Sequence, residues 1–242
     1  MILAIAVLLT TSFPLQTEIN VTDASSRGCP LSLLGTITTI DSGPEVPFRY
    51  SWKIAASVRN SSTKDILLAV IKIQIDDPGK LRNDYTRDND YFFMSDVFRS
   101  NTTQSIDQPL MRFGTSAKFQ VRKITPTAIA RVSFIQFSDG STWGRNSEGR
   151  EILKERQLTL NKLLDLDRVF RTEGPDKFVV KLMEPTRLTL IEDLQRLYKE
   201  KGDDVNPVAK EISLMLTNAE RNQKAMTHKL DSKRRLEPNG FP

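Results

Sequence analysis

An α+β fold is predicted for this chain: a two-layered antiparallel β-sandwich followed by a C-terminal helical segment of about three helices. Three observations predict it. Period-two segments recur between about residues 19 and 143, turn-forming clusters separate them, and at about Ser147 the pattern changes to helical spacing.

The first strand expected is 31–40. The second, 48–58 (FRYSWKIAASV), puts Phe48, Tyr50, Trp52, Ile54, Ala56 and Val58 on one face and mostly polar residues on the other. Residues 60–65 (NSSTKD) favour a turn, and 66–75 (ILLAVIKIQI) supplies a more apolar strand. A short polar turn between two such strands predicts an antiparallel hairpin. Further strands are expected at 91–98, 117–121 and 128–137, with turn-rich stretches at 41–47, 76–90 and 105–115. Asp139-Gly140 then reads as a hairpin turn with positive φ at both residues, and Trp143 packs against the strand it follows or against the incoming helices. As a site, Asp139 would need a partner and a pocket.

Residues 151–170 are dense in helix formers, with Leu153, Leu160, Leu163 and Leu164 able to share a face, and Gly174-Pro175 reads as the stop. A second helix is expected from Thr186, its N-cap, to Lys201, and a third from Asn206-Pro207. Leu160, Leu164, Leu194 and Ile212 are expected to be buried, and the basic stretch after about Lys229 to be mobile.

The division expected is a signal peptide at 1–17, a β-sandwich domain at 18–146, a helical region at 147–230 and a flexible basic tail at 231–242. The signal reading rests on the apolar run MILAIAVLL followed by Thr10, Thr11 and Ser12, with cleavage between about Thr10 and Asp23. The run is too short to span a bilayer, which takes about 20 apolar residues. No Lys or Arg precedes it, and its alternative is a buried first element of a cytosolic protein.

A lone cysteine, Cys29, excludes an intramolecular disulfide and any multi-cysteine metal site. The net charge of +5 reads as solvated surface. The acids Asp76, Asp77, Asp84, Asp88 and Asp90 are the metal candidates, since calcium takes clustered oxygens, but D-x-D-x-D-G spacing is missing and Lys80, Arg82 and Arg87 sit among them. His228 is the only histidine and stands in the basic tail, so a nucleophile working with a histidine base has one residue to recruit. No nucleophile elbow, zinc-protease motif or phosphate loop is present in the sequence. No catalytic residue and no cofactor are assigned. The N-x-S/T triplets at Asn20, Asn60 and Asn101 are treated as uninformative.

SWKIAASVRNSSTKDILLAVIKIQI resembles the paired strands of exported bacterial β-sandwich modules, through Val58, Asn60, Ser62, Asp65 and Ile66. Phe137 to Gly144 (FSDGSTWG) is similar to a closing hairpin in uncharacterised exported proteins of that kind. The resemblance implies an immunoglobulin-like sandwich and carries no catalytic residue. The function expected is non-enzymatic binding or assembly in the cell envelope, periplasmic or secreted, with another envelope protein or an anionic surface as partner. Nucleic acid is not expected, nor a membrane span after signal cleavage. The alternatives are a carboxylate- or calcium-dependent enzyme acting on an envelope polymer, and a cytosolic structural protein. Convergence of two or more of Asp76, Asp84, Asp88, Asp90 and Asp139 in a concave pocket would favour the enzyme.

Overall fold

The computed structural model describes residues 18–41, 50–76, 83–111 and 127–236. The strands are β1 (Glu18–Asp23), β2 (Leu31–Asp41), β3 (Tyr50–Asn60), β4 (Ile66–Asp76), β5 (Asn83–Asp90), β6 (Thr103–Met111), β7 (Thr127–Phe137) and β8 (Thr142–Gly144). The helices are α1 (Asn146–Glu173), α2 (Pro175–Leu182), α3 (Thr189–Glu200) and α4 (Val205–Leu236). The expected signal peptide, the strand at 117–121 and Asp77 lie outside the described residues.

The β-sandwich expectation is overturned. All the strands belong to one curled, half-barrel sheet in the order β5-β4-β7-β1-β2-β3-β6, with β8 also on β7. The sheet is mixed, because β1 runs parallel to β7 and antiparallel to β2. β4 pairs along β7 from Ile66 to Asp76, while β1 meets β7 at Ala128–Ala130 and β8 meets it at Phe134–Gln136. β1 and β8 thus share the other edge of β7, and β1 is the seam between the two halves of the sheet.

The β3–β4 hairpin expectation is also corrected. β3 pairs with β2 and β6, whereas β4 pairs with β5 and β7. The polar turn after Asn60 carries the chain from one half of the sheet to the other. The curl then brings Val21, Leu31, Leu33, Ala56 and Val58 against Ile71, Ile73, Ile75, Val132 and Ile135 in one core. This burial explains why β4 reads as nearly continuous apolar sequence. Its Ala69, Ile71, Ile73 and Ile75 join that core, while Leu68 and Val70 face Phe134, Ile152 and Leu153 under α1. A strand covered on both faces loses its alternation. Gly149 in α1 sits directly on the Phe134 ring, and a Cβ there would collide with it.

Residues 91–98 form no strand, only a turn and a single bridge from Phe98 to Ile66. Among the described residues four helices replace the three expected. Gly174, at φ 89°, ends α1, and Pro175 opens α2 at once, where its missing N–H is no loss. The inward line of α1 is Leu163, Leu166 and Val169, which meet Phe178, Leu182, Ile191, Leu194, Tyr198, Val208 and Ile212 in a second core. Leu194 and Ile212 are buried as expected, but Leu164 is 51% exposed and Leu160 only half-buried. Both face a groove toward Leu216 on α4. No helix among the described residues is long and apolar enough to cross a membrane.

Candidate functional site

Asp139 is a structural residue whose role goes beyond its turn. The loop after β7 is closed by Gly140 N–H donating to the Phe137 carbonyl (2.9 Å) and Phe137 N–H donating to that of Ser141 (2.9 Å). Gly140 has φ 79°, but Asp139 does not have positive φ, contrary to expectation. This is the longer hairpin loop, in which one left-handed glycine suffices. The Asp139 side chain is freed to accept from Ser141 N–H (3.0 Å) and to pair with Lys64 Nζ (2.8 Å). Burial pushes its carboxyl up, but the hydrogen bonds from Lys64 and Ser141 outweigh burial and hold it at about 2. Lys64 thereby ties the turn after β3 to the turn after β7. Trp143 pairs opposite Ile135 and packs on the sheet core, as expected.

The turn after β3 builds a buried knot. Asn60, fully buried, donates through Nδ2 to the carbonyls of Lys64 (2.9 Å) and Arg99 (3.1 Å), and its Oδ1 accepts from Ser62 N–H (3.0 Å). Asp65 accepts from Ser100 N–H (2.7 Å). Both side chains stitch the crossover turn to the segment after Phe98, and such burial leaves Asn60 no access for modification. Cys29 packs half-buried against the same core, and burial pushes its thiol up, away from the reactive thiolate.

The second polar centre joins sheet to helices, and sequence reasoning missed it. Arg156 on α1, 7% exposed, holds Asp90 through two bonds, Nε to Oδ2 (2.9 Å) and NH2 to Oδ1 (2.8 Å). Its NH1 donates to Gln136 Oε1 on β7 (2.7 Å), and its guanidinium lies 4.6 Å from the centre of the Phe92 ring. From α4, Asn222 donates to the Phe92 carbonyl (2.9 Å), Asn218 to that of Phe93 (3.2 Å) and Arg221 to that of Ser95 (2.9 Å). Phe93 reaches the helical core itself. The loop after β5 is thus a plug seated between α1 and α4. One signal was present: Arg156 precedes Thr159, Leu163 and Leu166 at inward helical spacing. An arginine in line with a buried stripe needs a buried partner.

Beside this plug opens a cleft of about 800 Å³. Ile152, Leu190, Met215, Leu214 and Met94 supply its apolar surface, the last two 49% and 53% exposed. Five carboxylates line it, Asp90, Asp96, Glu155, Asp193 and Glu211, with Arg156 as the only Lys or Arg. Arg156 is committed to Asp90, and Asp193 pairs with Arg196 across exposed surface at 3.1 Å. Among the described residues no ion pair engages Asp96, Glu155 or Glu211. Arg221 stands at the rim, on the carbonyls of Met94 and Ser95, so within the described residues the acids of this lining outnumber its bases in a chain of net charge +5.

Of the acids singled out from sequence, Asp90 lines this cleft, and Asp139 sits instead in the turn after β7, bound to Lys64. Asp76, Asp84 and Asp88 belong to β4 and β5, and their side chains, like that of His228, are outside the described ones. Among the described residues no three His, Cys, Asp or Glu are grouped to hold a metal. The chain matches no family model, no curated protein and no solved structure.

Proposed function

We propose that this is an exported binding or assembly protein whose working surface is the acidic, apolar-floored cleft between the loop after β5 and helices α1, α3 and α4. The observation that carries this reading is the pairing of exposed Met94 and Leu214 with Glu155 and Glu211, which make no ion pair among the described residues, around one concavity. Apolar surface rimmed by charge suits recognition of another polypeptide. Export rests on the apolar run 1–9. Since β1 joins the halves of the sheet from Glu18 onward, a mature chain that keeps the fold begins before that residue.

A photoreactive side chain at Leu214, in the full chain expressed in cells, tests the cleft. A discrete protein adduct that is lost on Glu155→Lys with Glu211→Lys is expected. No adduct, or adducts indifferent to those changes, would overturn the reading.

A further inference from the structure

The cleft proposed above as the working surface poses a question of charge, and the chain contains a segment that answers it. Residues 229–236 read KLDSKRRL, four cations against Asp231, with Leu230 and Leu236 between and after them. α4 carries this segment as a continuation of the helix through Leu236. The last described attachments of α4 to the body are Asn222, on the Phe92 carbonyl, and Met226, against Gly140.

The tail of α4 cannot reach the cleft of its own chain. Leu214 and Glu211 line the cleft on the same helix, and at about 1.5 Å per residue the middle of the tail lies roughly 30 Å farther along a rigid rod. Contact is therefore possible only between chains.

We infer that the cleft receives the basic end of α4 from a second copy of this chain, giving a closed two-fold dimer. The inference rests on the cleft being a docking surface. A two-fold axis would set the tail of each chain in the cleft of the other. Both contacts then form at once, which is how a two-fold interface closes. The segment carries four cations and two leucines, and the cleft carries Glu211, Glu155 and Asp96 beside exposed Met94 and Leu214, so the two are complementary in charge and in apolar content. Because the attraction is between exposed charges, it weakens with salt.

Sedimentation velocity of the full chain, over a concentration series at about 0.05 M and about 0.5 M salt, reads this directly. A dimer is expected at low salt and its dissociation at high salt. Glu155→Lys with Glu211→Lys should weaken dimerisation about tenfold or more, as should Lys233→Glu with Arg234→Glu. Carrying all four substitutions in one chain should restore the dimer, a gain that a misfolded protein cannot give. A chain monomeric at both salts, or a dimer untouched by either charge reversal, would overturn the inference. If the chain is monomeric while the Leu214 probe captures a different polypeptide, self-docking fails and the cleft reading stands. If neither is seen, both fail.

Discussion

Asp139 and Lys64 show at the scale of single residues how much a turn position can contribute. The Asp139 carboxyl titrates at about 2, below the 3.8 of a free aspartate. A group depressed on folding stabilises above its unfolded pKa, and that stability is lost as pH falls through the folded value. The contribution is therefore present above about pH 4 and gone below about pH 2. With Lys64 partly exposed, its size is about 1–2 kcal/mol. Asp139→Asn keeps an acceptor for Ser141 but loses the ion pair. Urea melts of the two proteins should differ by that amount at pH 7 and converge as the acid limit is approached. Gly140→Val should cost about 1 kcal/mol or more in the same assay, since a β-branched residue resists φ 79°.

Among the elements, those with a buried, regular face were legible and those on an edge or a seam were not. β2, β3, β4, β7 and three of the helices follow from apolar periodicity, with ends shifted by a few residues. β5 and β6 were read as turn-rich sequence. They are the two edges of the sheet, where polar residues and even Pro109 are tolerated and discourage further pairing. Short α2 was hidden by the Gly174-Pro175 pair, which ends one helix and starts another. Pairing was the least legible level: each strand's pattern says that a face is buried but not which strand lies beside it. Of the candidate site, Asp90 alone was named from sequence, because the rest is assembled from β7, the loop after β5, α1, α3 and α4 by long-range packing.

The leucine lines of the helices separate two expectations. Leu194→Ala should cost about 2–4 kcal/mol, as its side chain is buried among four helices. Leu164→Ala should change stability by less than about 0.5 kcal/mol because it stands half in solvent. Phe178→Ala, removing the ring that anchors α2 against Phe170, should cost about 3–5 kcal/mol. Thermal melts by circular dichroism check all three. A severe loss at Leu164 with a mild one at Leu194 would mean that α1 and α3 turn other faces to the core.

At the scale of the whole molecule, the sheet and the helices each have a large apolar core, and two contacts fasten one to the other: the patch of Leu68, Val70 and Phe134 under α1, and the loop after β5 with Arg156. The cleft lies beside the second of these contacts. Removing one partner from a buried pair leaves the other uncompensated, so Arg156→Met should cost about 3 kcal/mol. Differential scanning calorimetry of the full chain tests this coupling most directly. One transition is expected, with equal calorimetric and van't Hoff enthalpies, moved down by about 6–12 °C in the Arg156→Met protein. Two independent transitions, neither of them shifted by Arg156→Met, would show the sheet and the helices to be uncoupled and would contradict a cleft built between them.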